Sequence, residues 1–215
     1  MTLQAALRIL LWMFIVFVSI QFVLRLVRRI YKFPIPPFLT NIIDNPIRRR
    51  FLPPESMPAR HGIHAGMRVL EVGPGNGTYT LTTGRAVGEA GQVVAIDIEP
   101  RIIDKLRQRV ELQGAGNIEA RLADVHQLPF PDASFEAIYM ITVIGEIPAP
   151  GKAMHEFHRV LRHGGTLAFS EFLPDPDYPL PSTLNALGSE AGFRLKSRLG
   201  KLFYYTMIFN KCEEG

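Results

Sequence analysis

The stretch RVLEVGPGNGTYT, from Arg68 to Thr80, most limits the fold that this 215-residue chain can adopt. A short apolar run ends in an acid, and three glycines follow at alternate positions. This pattern is typical of a buried parallel strand that turns into a helix around a nucleotide-like ligand. The sequence therefore predicts a Rossmann-like unit that begins near residue 68.

Beyond Met67, apolar runs of strand length alternate with helical stretches, as in a doubly wound α/β sheet. The predicted parallel strands are residues 68–72, 92–96, 118–122, 135–141 and 166–172. Two further strand-like runs, 193–199 and 202–210, are separated only by Gly200 and Lys201, a spacing that demands a hairpin. We expect a Rossmann-like, doubly wound, seven-stranded sheet with a final antiparallel strand.

The N-terminal segment contains an apolar run, residues 9–24, that is 16 residues long and carries no charge. As a helix it covers roughly 24 Å, and the long stems of Arg8 and Arg25 extend this span toward the headgroups. A cleaved signal peptide would carry its charges before the apolar run rather than after it. The sequence predicts a single-pass transmembrane anchor over residues 1–30, with an in-plane interfacial helix as the alternative.

The basic residues are concentrated at the start of the chain. Nine Lys and Arg but two Asp and Glu occur up to Arg60, a formal charge of +7, whereas the remainder carries −3. Because these charges flank an apolar run, they favour anionic lipid headgroups over nucleic acid as the partner. The positive-inside rule then places the C-terminal domain in the cytoplasm, at the cell (inner) membrane. The single cysteine, Cys212, excludes a disulfide within the chain.

Residues 31–66 are rich in proline and basic residues, which excludes one long helix. We predict a juxtamembrane linker here, followed by a catalytic domain over residues 67–215. An alternative is a platform at headgroup level that admits an apolar substrate. Beside the basic run 48–50, it would consist of Phe33, Ile35, Phe38, Ile42 and Ile43.

The glycine loop differs from two common phosphate-binding loops. A dinucleotide fingerprint would need glycine where Thr78 or Thr80 stands, and a P-loop would need a nearby lysine. Asp97 ends the second predicted strand, 20 residues after Gly77, where an acid accepts both ribose hydroxyls. A loop without a phosphate grip favours a ligand with a ribose and a cationic or amino-acid tail.

Several ordered stretches resemble the class I S-adenosylmethionine-dependent methyltransferases, and among them the menaquinone/ubiquinone biosynthesis methyltransferase-like (methyltransferase type 11) group. They are VLEVGPGNGTYT, VVAIDIEP, ARLADVHQLPFPDASFEAIYM, EFHRVLRHGGTLAFSE and EAGF. The resemblance implies S-adenosyl-L-methionine as cofactor. The residues that it assigns to the methionine part are Glu71, Gly73, Gly75, Gly77 and Thr142. Those that it assigns to the ribose and adenine are Asp97, Ile98, Asp124 and Val125.

Methyl transfer to a carbon or a phenolic oxygen also requires that the acceptor lose a proton. The candidate bases follow the fourth and fifth strands, and they are Glu146, Asp175, Asp177 and Tyr178. An acceptor that is already activated needs no base. We expect HGIH (61–64), His155 and His158 to lie at the surface, and no set of metal ligands is evident.

These features predict methyl transfer to a lipid-soluble acceptor at the membrane, either quinone-like or another lipid. One alternative is a phospholipid amino-headgroup N-methyltransferase, which would add methyl groups successively. Another is an inactive, membrane-bound S-adenosylmethionine-binding partner protein. The segment between the fifth strand and the EAGF stretch is shorter than in larger lipid-quinone enzymes, so the bilayer and the basic linker would have to cover the substrate.

Overall fold

Seven strands form one mixed sheet in a computed structural model that describes residues 2–30 and 45–212. The strands are β1 (Arg68–Val72), β2 (Gln92–Asp97), β3 (Ile118–Leu122), β4 (Phe135–Ile141), β5 (Leu161–Phe172), β6 (Phe193–Lys201) and β7 (Tyr204–Lys211). Their spatial order is β3-β2-β1-β4-β5-β7-β6; β1 to β5 are parallel, and β7 is antiparallel to both of its neighbours. The predicted fold is confirmed, although β5 begins earlier than expected.

The described residues form seven α-helices, and proline stands in the first turn of most of them. They are α1 (Leu3–Ile30), α2 (Pro46–Phe51), α3 (Met57–Arg60), α4 (Thr78–Val87), α5 (Pro100–Leu112), α6 (Pro150–Val160) and α7 (Pro181–Glu190). Proline is tolerated there because the first-turn N–H has no partner within the helix. Asn45 caps α2, since its Oδ1 accepts a hydrogen bond from the Arg48 amide at 3.0 Å.

The two faces of the sheet carry separate cores, because successive strand residues point to opposite sides. Leu70 faces the first core, where Phe157 of α6 and Leu184 of α7 pack. Val69 faces the second core, together with Tyr79 of α4. This arrangement leaves the carboxyl ends of β1 to β5 free to carry a site.

The hairpin between β6 and β7 turns two residues later than the sequence indicates. Gly200 and Lys201, the expected turn, are still paired with β7, and the turn consists of Leu202 and Phe203. A Cβ on Gly200 would lie 2.5 Å from the Tyr204 carbonyl oxygen. Gly200 is therefore explained by close contact between the strands rather than by the turn.

The described part of the predicted linker, residues 45–66, packs on the sheet. Leu52 and Met57 are completely buried in the second core, and the Tyr79 hydroxyl donates a hydrogen bond to the Leu52 carbonyl at 2.9 Å. We therefore place the start of the folded domain near residue 45 rather than at Met67. The platform predicted from Phe33 to Ile43 lies outside the described residues.

His61 is buried, so the predicted surface position of HGIH is wrong at this residue. Its Nε2 lies 2.8 Å from the Ser170 hydroxyl, which lies 2.8 Å from the Thr206 hydroxyl. The imidazole also packs against the Tyr139 ring, with 5.1 Å between ring centroids. Burial, with a smaller effect from the charge of Arg60, lowers the pKa of His61 to about 3, and the imidazole is neutral at physiological pH.

Helix α1 has the length and composition of a membrane-spanning helix over Leu7–Val27, where the mean hydropathy is 2.3 and none of the residues with a described side chain is buried. Near its end, Arg25 donates hydrogen bonds to the carbonyls of Leu173 at 2.7 Å and Asp175 at 3.1 Å. The helix is thereby attached to the loop that follows β5.

Leu52→Ala should lower the free energy of unfolding by about 2 to 5 kcal/mol, because it opens a cavity in the second core. The matched control is Leu112→Ala at the end of α5, where the side chain is 84% exposed and a change within about 0.5 kcal/mol is expected. Denaturant unfolding of the solubilised chain measures both. Equal, small effects would show that residues 45–66 are a linker after all.

Candidate functional site

The carboxyl ends of the central strands surround a cavity of about 240 Å³. Strand order reverses between β1 and β4, and ligands of open α/β sheets bind at such switch points. Of the nine residues predicted to bind the cofactor, all but Gly77 line the cavity. They are Glu71, Gly73, Gly75, Asp97, Ile98, Asp124, Val125 and Thr142. Residues from the separate sequence motifs therefore line the same cavity.

The three glycines after β1 are needed for different reasons. A Cβ on Gly73 would lie 2.6 Å from the Val143 side chain, and one on Gly77 would lie 2.5 Å from the Leu106 side chain. Gly75 has a φ of +57° but no atom within 4 Å of such a Cβ. Gly73 and Gly77 therefore hold the loop against its neighbours, while the space above Gly75 is open to a ligand.

Two carboxyl groups reach the cavity from the ends of β1 and β2. Glu71 is buried, and its Oε2 makes no hydrogen bond within the described part of the chain. Burial raises the pKa of Glu71 to about 7, although the nearby hydroxyls of Thr80 and Tyr139 oppose the increase. Burial also raises the pKa of Asp97 to about 6. The hydrogen bond that Asp97 accepts from the Glu99 amide at 2.9 Å opposes this increase. Such carboxyls favour a ligand that donates hydrogen bonds or carries positive charge.

The loop after β3 forms another wall of the cavity. Asp124 accepts a hydrogen bond from the His126 amide at 2.9 Å, and chiefly this bond lowers the pKa of Asp124. His126 Nε2 lies 2.6 Å from the Pro148 carbonyl oxygen, so the imidazole links this loop to the one after β4. Ile98 and Val125 add apolar surface to the same region. The wall has the chemistry to hold a purine ring.

Thr142, directly after β4, has a φ of +55°, which is rare and costly for a β-branched residue. Its amide donates to the Ser170 carbonyl at 2.8 Å, and its hydroxyl accepts from Arg48 Nη2 at 2.7 Å. The surrounding structure therefore holds Thr142 in a strained conformation at the cavity wall, which is typical of functional positions.

Arg48 also lines the cavity, although the sequence analysis did not predict it as a site residue. It is buried, donates also to the Ile141 carbonyl at 3.4 Å, and places its guanidinium over the Tyr79 ring, 5.9 Å from the centroid. The sequence shows three consecutive arginines, 48–50, and nothing in that run marks the one that turns inward. Arg48 is distinguished from its neighbours only by its position on the buried face of a short helix. That helix is difficult to predict because the surrounding sequence is rich in proline.

Among the predicted bases, Glu146 lines the cavity and the other three do not. Tyr178 is buried, and its hydroxyl donates to the Leu202 carbonyl. Asp175 accepts a hydrogen bond from the Asp177 amide at 2.9 Å, within the loop after β5. Of the four predicted bases, Glu146 is therefore the one placed to contact a ligand in this cavity, and the catalytic role stays a prediction.

A second carboxyl near Glu146 was not predicted. Glu171, close to the end of β5, is buried, and its Oε1 makes no hydrogen bond within the described residues. Burial raises the pKa of Glu171 well above its usual range; Asp175, Glu146 and Asp177 raise it further, and Arg48 lowers it. Burial therefore favours the protonated form of Glu171, which can donate a hydrogen bond.

The loops after β4 and β5 touch through their backbones. A Cβ on Gly145 would lie 2.0 Å from the Asp177 carbonyl oxygen, so only glycine fits at this contact. The same two loops carry Glu146 and the carbonyls that bind Arg25. The neighbourhood of the candidate base is therefore packed against the loop that binds α1.

Residues 70–169 match the family model described as a methyltransferase domain. This part of the chain belongs to the class I S-adenosylmethionine-dependent methyltransferases. The methyltransferase domain is similar in fold to the crystal structure of a SAM-dependent methyltransferase from Aquifex aeolicus, with a TM-score of 0.77 and 24% identity. That likeness covers 83% of this chain and 100% of the other.

Curated relatives of the methyltransferase domain include the ubiquinone/menaquinone biosynthesis C-methyltransferase UbiE of Marinomonas sp., which is 32% identical over 145 residues. The alignment covers 67% of this chain and 56% of that protein. The protein of the same name from Cronobacter sakazakii is 32% identical over 142 residues, which are 66% of this chain and 55% of the relative. The chain thus spans little more than half the length of these relatives.

The cavity fits S-adenosylmethionine, the cofactor of this family. Its amino group is a donor and a cation, which suits the unpaired Oε2 of the buried Glu71. The open space above Gly75 leaves room for the methionine chain. Asp97 stands at the end of β2, where an acid binds ribose hydroxyls in Rossmann-like sites.

Glu71→Gln should remove a pH dependence of stability. The folded pKa of Glu71, about 7, exceeds its ordinary value of 4.5, so the folded state holds a proton that the unfolded state releases. The free energy of unfolding of wild type, relative to the variant, should therefore fall as pH rises from about 4.5 to about 7, by at most about 1.4 kcal/mol per pH unit, and then level off.

Denaturant unfolding at a series of pH values, without ligand, measures this difference. Titration of other groups, including His61, affects both proteins and cancels in the comparison. A difference that does not change with pH would show that the Glu71 carboxyl is ionised in the folded protein.

Proposed function

We propose that this chain transfers a methyl group from S-adenosylmethionine to a quinone-like, lipid-soluble acceptor at a membrane. The observation that carries the proposal is that one cavity joins the glycine loop and Asp97 to Glu146 and the buried Arg48. The glycine loop and Asp97 suit the cofactor, whereas Glu146 and Arg48 offer charged groups to a methyl acceptor. The similarity to UbiE of Marinomonas sp. supports a ring carbon of a quinol as the methylated atom.

The bound cofactor supplies a methyl group on a positively charged sulfur. The protein contributes mainly alignment and exclusion of water, and orientation alone provides several kcal/mol of rate enhancement. Thr142 and Arg48 are suited to this task, because a hydrogen bond of 2.7 Å fixes both at the cavity wall. Their rigidity would hold the acceptor in line with the methyl group.

Methylation of a ring carbon releases a proton from the methylated molecule. We assign Glu146, which lines the cavity, as the base that takes up this proton. Glu171 is close enough for the charge of Glu146 to raise its pKa. Arg48, which lines the cavity, would favour the ionised form of a phenol. Within the described part of the chain, the buried Arg48 Nε makes no hydrogen bond, which leaves it able to donate to an acceptor oxygen.

The membrane part of the proposal is supported by α1. An apolar helix whose described side chains over Leu7–Val27 are not buried in the protein favours an apolar environment. Arg25 attaches that helix to the loop beside Glu146, so a membrane anchor would bring the cavity close to its lipid-soluble acceptor. We therefore assign the chain to the cytoplasmic face of the cell membrane.

Asp97→Asn should weaken the binding of S-adenosylmethionine and of S-adenosylhomocysteine at least tenfold, or about 1.4 kcal/mol, because an amide cannot accept from both ribose hydroxyls. Asn keeps an oxygen for the bond from the Glu99 amide, so the turn should persist. Calorimetric titration of the detergent-solubilised chain measures the affinity. Asp104→Asn, at an exposed site on α5, is the matched control, and an equal loss in both variants would contradict the assignment.

The acceptor is tested in vesicles that contain the full chain, methyl-labelled S-adenosylmethionine and a prenylated quinol that lacks one ring methyl group. We expect label in the quinol at one methyl per ring, and at least tenfold less with Glu146→Gln. Label in the phospholipid, with successive additions, would instead establish headgroup N-methylation. Cofactor binding without label in any lipid would favour a partner protein without activity.

A further inference from the structure

The turn between β6 and β7 is an exposed apolar projection. Leu202 is 57% exposed and Phe203 is 41% exposed. Phe172, the last residue of β5, pairs with Tyr204 immediately after the turn, so the projection lies at the carboxyl edge of the parallel strands. The cavity is at the same edge.

The projection is held in place by its neighbours. The Phe203 ring packs against Phe51 and Phe172, with 5.3 Å between centroids in both pairs. The Phe203 carbonyl accepts from the Leu173 amide at 2.8 Å, and the Leu202 carbonyl accepts from the Tyr178 hydroxyl. The exposed apolar surface is therefore part of a fixed structure that does not collapse onto the domain.

Helix α2 extends this surface. Phe51, at its end, contacts Phe203, while Ile47 is 68% exposed. Basic residues surround the apolar groups: Arg50 on α2 and Lys201 before the turn are exposed. Among the described acidic residues nearby, Glu55 follows α2 and pairs with Arg85, while Asp175 and Asp177 in the loop after β5 are half-buried. A fixed apolar surface with a basic border is the pattern of proteins that lie on anionic lipid.

The attachment of α1 gives this surface an orientation. Arg25 donates hydrogen bonds to the carbonyls of Leu173 and Asp175 in the loop after β5. The Leu173 amide of the same loop donates a hydrogen bond to Phe203 in the β6–β7 turn. The apolar span of α1 ends two residues beyond Arg25, at Val27. The end of that span and the β6–β7 turn therefore contact the same loop.

We propose that Leu202, Phe203 and Ile47 form a docking surface that inserts into the headgroup region of an anionic bilayer, the same bilayer that holds α1. The inference rests on the proposed function only in treating α1 as a membrane helix. Its consequence is that the edge of the sheet that carries Arg48 and Glu146 faces the lipid. An apolar acceptor then enters the cavity from the bilayer without crossing water.

Tryptophan fluorescence in brominated lipid tests this docking. The chain has one tryptophan, Trp12 in α1, so a Trp12→Phe background carries a single probe at Leu202→Trp or, independently, at Ile47→Trp. The control is Leu112→Trp, because α5 returns from the carboxyl edge and ends at the opposite edge of the sheet. Each variant is placed as the full chain in phosphatidylglycerol-containing vesicles, and cofactor binding confirms its fold.

We expect bromine on the upper acyl chain to quench the probes at 202 and 47 roughly twofold and the probe at 112 hardly at all. Equal emission in brominated and ordinary lipid at both 202 and 47 would overturn the docking surface. A blue-shifted, unquenched probe at 202 would also overturn it, because a protein surface would then cover the turn.

Quenching of Trp12 in the unmodified chain distinguishes failure of the docking surface from failure of the proposed function. Quenching of Trp12 with unquenched probes at 202 and 47 leaves the anchor in place and removes only the docking surface. No quenching of Trp12 overturns the anchor and the docking together. Quenching at 202 and 47 without methyl transfer to any lipid supports the docking and contradicts the proposed activity.

Discussion

The hydrogen bond from Arg48 to the Thr142 hydroxyl joins the start of the folded domain to the centre of its sheet. Arg48 reaches the cavity because Leu52 buries the same short helix in the second core. Thr142 keeps its positive φ because this bond and the Ser170 carbonyl hold both sides of the residue. The shape of the acceptor end of the cavity therefore depends on a segment that composition alone would assign to a linker.

Electrostatics divide the cavity into two chemical environments. Glu71 and Asp97 are carboxyls whose burial raises their pKa, and a cationic cofactor with ribose hydroxyls would restore the interactions that they lost with water. Arg48 offers a cation instead, which suits an acceptor that develops negative charge on oxygen. One cavity can therefore hold a donor and an acceptor of opposite electrostatic character.

Sequence patterns predicted the features that depend on local chemistry. The parallel strands follow from apolar runs, and Gly73, Gly75 and Asp97 follow from the needs of a strand-to-helix turn. Arg48, His61 and Glu171 could not be predicted, because their burial results from contacts with distant elements. The hairpin turn was misplaced for a related reason: Gly200 marks a close approach between strands, and the turn itself uses two bulky apolar residues.

The contact of Gly145 with the Asp177 carbonyl makes the loops after β4 and β5 a single mechanical unit. A change of length in one loop would separate it from the other, so the chain should tolerate length changes only when both loops change together. Arg25 extends the unit to α1. A chimera that takes only one of these loops from a relative should lose their backbone contact, whereas exchange of both loops together should keep it.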